Sequence, residues 1–447
     1  MTCAFPADGT ILVTDEELGR CRHVIDHIEG FFHALGIADP GGAGWILVIL
    51  TFAIAGLAVW RFMPRLRLFS LEVGWADEPN ARRLNKEPLP NAGGLAIFSA
   101  VAVALVITAL LRPISIEHVQ INVLAILLGG SFMIIAGFID DQFGLPPVFR
   151  LLVQLLAALL LVSTGIRIGV GFGGSLAGAL SVFFTVLWIM AITNAMNLID
   201  GVDGLAGGVS FITAMSLLAV SAQDQSKAAA TIVLAAVAGA ALGFLRHNLP
   251  PSRIIMGDSG AYFFGFVLAG SSILGGLKIT TAFSLFPTVL FLFLPLLDTI
   301  VVILRRLLKR KNPISSPGKD HLHHGLLAHG FSPGRTIIVL LGVTLAANIL
   351  AMAVQGMSVL VILVTNAGIL VLLALVTWRR RRAFRRAMAR LKAEAEAAAA
   401  QAVASETPWI SPPVAAAAVA GPPSAVAPKP AARVVEGAGR PDDKPFP

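Results

Sequence analysis

Apolar runs close to twenty residues long recur along this chain, separated by short polar or glycine-rich breaks. A helix rises about 1.5 Å per residue, so about 20 such residues cross the roughly 30 Å hydrocarbon core of a bilayer. Hydrophobic residues make up 56% of the 447 positions and charged residues only 13%, a balance that excludes an ordinary soluble domain. Backbone polar groups in lipid must be satisfied within the segment, so the expected fold is an all-α polytopic integral membrane helix bundle of about 11 transmembrane helices.

The expected spans lie near Gly44–Met63, Ala92–Leu111, Val119–Ile139, Val148–Ile166, Leu176–Ile192, Leu205–Ser221, Ala228–Leu245, Tyr262–Leu277, Phe283–Leu304, Thr336–Val354 and Val359–Trp378. Arg61, Arg65 and Arg67 close the first span, and Arg305, Arg306, Lys309, Arg310, Lys311, Lys319 and Arg335 crowd the loop before the tenth. The opposite loops hold little beyond Arg112, Arg167, Lys227 and Lys278. The positive-inside bias therefore predicts an outside N-terminus and a cytoplasmic C-terminus. It also accounts for the formal charge of +8 without nucleic acid, because the basic residues sit at span ends.

Four regions follow from this division. Residues 1–42 are an N-terminal extension that mixes acids with apolar positions and lacks the order of a cleavable signal. Residues 43–378 are expected to form the transmembrane domain, which would hold any catalytic site, 379–400 a basic cytoplasmic helix, and 401–447 a disordered Ala/Pro-rich tail. The two cysteines, Cys3 and Cys21, fall before the first span and belong to no motif.

Chemistry gathers at the inner loops. Asn194, Asn197, Asp200 and Asp203 recur every third residue, with Gly201 and Gly204 among them. On a straight helix that spacing drifts round the axis, so a helix end turning into a glycine loop fits better. Asp140-Asp141 is either a solvated helix end or a catalytic or metal-binding pair, in which each carboxylate raises the other's proton affinity. Asp258, between glycines in Met256-Gly-Asp-Ser-Gly260, suits a hard divalent ion; the lesser alternative, compatible with it, is an N-cap by Asp258 or Ser259 for the eighth span. His321, His323 and His324 follow Lys319 in a loop without cysteine, which favours donors for an anionic ligand over structural zinc. Asp298, an acid inside an apolar span, pairs with a neighbouring span or shapes the site.

Four motifs in order, Asp140-Asp141-x-x-Gly-Leu, Asn194-x-x-Asn-Leu-x-Asp-Gly-x-Asp-Gly-Leu, Met256-Gly-Asp-Ser-Gly and His321-Leu-His-His, resemble the polyprenyl-phosphate N-acetylhexosamine-1-phosphate transferases. With the span count, the resemblance covers roughly residues 44–378. It implies an enzyme of the cell membrane, working at the cytoplasmic face. Such an enzyme moves a HexNAc-1-phosphate from a UDP-sugar to undecaprenyl phosphate and releases UMP.

Mg²⁺, with Mn²⁺ as a substitute, is implied as cofactor, and a homodimer is compatible. Asn197 and Asp258 resemble the metal ligands. Asp140, Asp141, Asp200 and Asp203 resemble the catalytic acids, while Asn194, Arg253, Lys319, His321, His323 and His324 are expected on the substrates. The His-x-His-His form resembles the N-acetylglucosamine-1-phosphate branch, rather than the branch that handles phospho-MurNAc-pentapeptide. Asn85, Asn91, Ile255 and Gly325 depart from the family pattern, at positions where His, Arg, an aromatic and Arg are common. From other classes, a transporter would place its acids near the membrane midplane, and a non-catalytic membrane scaffold would bind UDP-sugar without releasing UMP.

Overall fold

A computed structural model describes residue 30 and residues 44–77, 88–111, 117–169, 174–276, 285–310 and 320–406. Most of residues 1–42, the tail from 407, and Asn85 and Lys319 lie outside the described residues. Helices lie over each expected span. They are α1 (Gly44–Glu72), α2 (Gly93–Leu111), α3 (Glu117–Phe143), α4 (Pro147–Ser163), α5 (Ser175–Ile199), α6 (Leu205–Ser221) and α7 (Ala228–Asn248). After these come α8 (Gly257–Gly276), α9 (Leu285–Phe291), α10 (Phe293–Leu308), the short α11 (Leu322–Ala328), α12 (Pro333–Val354) and α13 (Val359–Glu406). By length and composition 7 of them can cross a membrane, and α4 and α6 are shorter apolar helices. The chain is an all-α membrane protein, with one two-stranded antiparallel ladder, Ala76–Asp77 against Leu89–Pro90, among the described residues.

The core is built on α7, an alanine-rich helix buried on nearly every side. Lipid tails are as apolar as leucine, so close backbone approach rather than hydrophobicity drives such packing. Gly239 supplies it: a Cβ there would stand 2.1 Å from the Phe52 carbonyl oxygen of α1. One turn later, at Gly243, a Cβ would meet the Gly56 oxygen at 2.5 Å.

The ninth span is broken into α9 and α10. Pro295 has no N–H to offer the Phe291 carbonyl four residues earlier. That oxygen accepts instead from Thr213 Oγ1 at 3.0 Å and Asn348 Nδ2 at 3.2 Å, so neighbouring helices satisfy the freed group.

Three helices run past their expected ends and carry motif residues with them. α3 continues through Asp140-Asp141, α5 through Asn194 and Asn197, and α8 begins at Gly257 ahead of Tyr262. The chain divides into a unit up to Arg385 and a second from Arg386. Among its described residues the second unit is the remainder of α13, where Lys392 and Glu396 pair at 3.7 Å one turn apart.

Candidate active site

The N-terminus of α8 is the fixed point of the site. Its first N–H groups have no intrahelical acceptor and carry the positive end of the helix dipole. Asp141, at the end of α3, fills that need: Oδ1 accepts from Asp258 N at 2.8 Å and Oδ2 from Ser259 N at 3.2 Å. Gly257 has φ +70°, and a Cβ there would lie 2.4 Å from Asp141 Oδ2 and 2.5 Å from the Asn91 carbonyl oxygen. Only glycine suits such a position. On the other side Gly93 N donates to Ile255 O at 3.1 Å and Gly94 N to Met256 O at 2.9 Å. Asn91 is buried and accepts from Gln142 Nε2 at 3.0 Å.

Anchored this way, Asp258 meets Asn197 from the last turns of α5, whose Nδ2 donates to Asp258 Oδ1 at 2.7 Å. Successive helical residues point about 100° apart, so Asp140 faces different partners from Asp141. Its Oδ1 accepts from Leu145 N at 2.7 Å, and its Oδ2 lies 3.1 Å from Arg150 Nη1 and 3.3 Å from the Tyr262 hydroxyl. The Asp140 and Asp258 carboxyl groups stand beside each other, with Arg150 the nearby cation.

α5 ends at Ile199, and Asp200 caps it through its N–H to the Asn197 carbonyl at 3.2 Å. Gly204, at φ +81°, starts α6 and donates its N–H to Asn248 Oδ1 at 2.7 Å. Asp203 accepts from Ser252 N at 2.9 Å, tying this turn to the segment between α7 and α8. Asn194 turns away from the cluster: its Nδ2 donates to Gln154 Oε1 of α4 at 2.6 Å, an amide pair between helices. Arg253 is exposed at the surface, and its carbonyl accepts from Arg67 Nε at 3.1 Å.

The histidine loop is suspended from α10. Asp298 accepts from Leu322 N at 2.7 Å, capping α11, and its other oxygen lies 2.7 Å from His321 Nδ1. Asp320 binds Lys309 Nζ at 2.9 Å, and that ammonium holds its carboxyl below the usual carboxylate range. His323 stacks on His321 at 5.5 Å between centroids and lies 4.3 Å from the His324 ring. It also packs on Gly201, where a Cβ would meet its Cε1 at 3.0 Å. The histidine loop and the Asp200–Asp203 turn are therefore in contact. Burial, reinforced by the neighbouring His324 and His321, pushes the His323 imidazole down to about 4.

Of the residues singled out in the sequence, Asp140, Asp141, Asn197 and Asp258 come together directly. Asp200, Asp203, His321, His323 and His324 form the adjoining wall, and Asn194 and Arg253 stand outside it. Arg150 and Tyr262 were not anticipated, although a lone arginine entering an apolar helix and the chain's single tyrosine were visible signals. Among the described residues no three His, Cys, Asp or Glu side chains form a metal cage. The donor set still fits Mg²⁺, which takes one or two protein ligands and leaves its other positions to water and phosphate oxygens. Two facing carboxylates with an amide oxygen beside them make such a set.

Comparison with known proteins gives a consistent result. The model of glycosyl transferase family 4 matches residues 123–276. A Bacillus subtilis (strain 168) protein named as a probable undecaprenyl-phosphate N-acetylglucosaminyl 1-phosphate transferase is 34% identical over 319 residues, covering 70% of this chain and 87% of its own. A decaprenyl-phosphate N-acetylglucosaminephosphotransferase of Mycolicibacterium smegmatis is 30% identical over 356 residues, 74% of this chain and 86% of its own. An undecaprenyl-phosphate alpha-N-acetylglucosaminyl 1-phosphate transferase of Yersinia pestis is 27% identical over 321 residues, 69% and 82% respectively.

Proposed function

Because the chain belongs to glycosyl transferase family 4, we propose that it is a multi-pass cell-membrane enzyme transferring N-acetylglucosamine 1-phosphate from its UDP-sugar to undecaprenyl phosphate. The observation that carries this reading is the meeting of Asn197, Asp258, Asp140 and Asp141, which come from three helices, beside the histidine loop. The meeting of the α3 and α5 ends with the α8 start supports a site at one membrane face, which the positive-inside bias assigns to the cytoplasmic side of an eleven-crossing chain with its N-terminus outside.

In the reaction an oxygen of the lipid phosphate bonds to the sugar-linked phosphorus. The bond from that phosphorus to the bridging oxygen breaks, and UMP leaves with the electron pair. Asn197 Oδ1 and Asp258 would hold Mg²⁺, which when bound supplies charge neutralisation at the phosphate oxygens. Asp141 acts by fixing the helix that presents Asp258. Near neutral pH a phosphate monoester is already mostly dianionic, so Asp140 positions rather than deprotonates. It orients Arg150, whose remaining guanidinium donors suit the acceptor phosphate. The His321–His323–His324 face lies over the Asp200–Gly201 turn and receives the donor diphosphate and sugar.

The test is incubation of purified protein with undecaprenyl phosphate, Mg²⁺ and a panel of UDP-sugars that includes UDP-MurNAc-pentapeptide, followed by mass analysis of the lipid and assay of UMP. The expected product is lipid carrying GlcNAc linked through a diphosphate. Solute movement across vesicles without any lipid-linked sugar would replace this reading with transport, and UDP-sugar binding without UMP release would replace it with a scaffold.

A further inference from the structure

The last carbonyls of α7 run into two consecutive prolines, Pro250 and Pro251. In a continuing helix the Arg246 carbonyl would accept from residue 250 and the His247 carbonyl from residue 251, but proline has no N–H. His247 O is served locally, by Arg253 N at 3.0 Å. Arg246 O is served from far along the chain: Arg380 of α13 donates to it through Nη1 at 2.8 Å. Through Nη2 the same guanidinium donates to the Pro251 carbonyl. One planar fork thus spans both sides of the Pro–Pro corner, a task for which a lysine ammonium, a point donor, is poorly shaped.

The corner opens the segment that ends at Asp258. Beyond it Ser252 N reaches Asp203, Ile254 O accepts from Asn248 Nδ2 at 3.1 Å, and Ile255 N donates to Pro90 O at 2.9 Å. Asp203 also lies within electrostatic reach of Arg380. A shift at the corner therefore disturbs the Asp203 turn and the approach to Asp258 together. By sequence Arg380 is one of the Arg379–Arg382 run, where orientation in the membrane is explanation enough.

We propose that Arg380 is a positioning residue for the transfer, latching the 249–256 segment, and through it Asp203 and Asp258, in the working arrangement. This inference rests on the transferase reading above. Full-length wild-type, Arg380→Gln, Arg380→Lys and Arg381→Gln proteins in nanodiscs are compared by steady-state kinetics and amide hydrogen exchange. Removing the charged donor that the Arg246 and Pro251 carbonyls share is expected to lower kcat in Arg380→Gln by about tenfold or more, with a smaller change in the donor KM. Exchange at residues 252–256 rises, the lysine variant recovers part of both effects, and Arg381→Gln matches wild type.

Wild-type kcat and loop exchange in Arg380→Gln would overturn the proposal, as would an equal loss in Arg381→Gln, which points to charge alone. If Arg380→Gln does not fold, wild-type kcat and exchange in Arg380→Lys overturn it. If the wild-type protein forms no lipid-linked sugar, the transferase reading fails, while the exchange measurement still decides whether the latch exists.

Discussion

Asn197 and Asp258, 61 residues apart in the chain, touch through an amide-to-carboxylate hydrogen bond of 2.7 Å. Because Nδ2 makes that bond, Asn197 Oδ1 is left as an acceptor next to Asp258, and the pair offers two oxygens of the kind a hard cation selects.

Replacing Asp258 with Asn keeps the shape and one hydrogen-bonding oxygen but removes the charge. Turnover is expected to fall by about 100-fold or more while the thermal midpoint moves little. Mn²⁺ binding followed by electron paramagnetic resonance should weaken in Asp258→Asn and in Asn197→Ala, a readout independent of activity. Full turnover in saturating Mg²⁺ would remove the metal assignment.

Gly257 in α8 and Gly325 in α11 should respond differently to alanine. Gly257→Ala forces a Cβ into Asp141 and Asn91 at a backbone angle of φ +70°. The left-handed conformation alone costs about 1–2 kcal/mol, and relief of the clash displaces the Asp141 cap, so stability and activity fall together. Gly325→Ala meets nothing within 4 Å and sits at no positive φ, so it should retain wild-type activity and melting temperature.

The His323 imidazole is held at about 4 in the fold against its ordinary 6.5. Below 6.5 the unfolded chain binds a proton that the folded protein refuses, so stability falls as pH drops from 6.5 towards 4 and is insensitive to this group above 6.5. His323→Gln should flatten the dependence of the thermal midpoint between pH 6.5 and 4. A variant that keeps the wild-type slope would show that another group is responsible.

Thr213 and Asn348 share the Phe291 carbonyl that Pro295 leaves without a helical donor. Thr213→Val and Asn348→Leu should each cost about 1 kcal/mol, and together more than the sum, because only the double variant orphans the oxygen. Additive losses in a thermal or denaturant titration would count against sharing.

Much of the site's inventory was legible because the chemistry confines it to a few polar interruptions in apolar sequence. Asp140-Asp141, the Asn194–Asp203 run, Asp258 and the histidines all stood out for that reason, and all but Asn194 lie in or beside the cluster. What composition could not convey is which way each side chain turns. Asp140 and Asp141 look equivalent in sequence, yet a rotation of about 100° sends one to Arg150 and the other to the N-terminus of α8. Asn194 and Asn197 look equivalent too, and one spends its amide on Gln154 between helices while the other reaches Asp258.

By itself, then, the sequence determined that this chain is an all-helical membrane protein and marked the polar segments where its chemistry lies, since lipid tolerates few polar groups and each exception is visible. The tertiary structure alone decided the pairings: Asp141 with the helix bearing Asp258, Asp298 with His321, and Arg380 with the Arg246 carbonyl left bare by Pro250 and with the Pro251 carbonyl. Each depends on an unsatisfied backbone group or charge finding a partner tens or hundreds of residues away, and spacing along the chain carries no record of that distance in space.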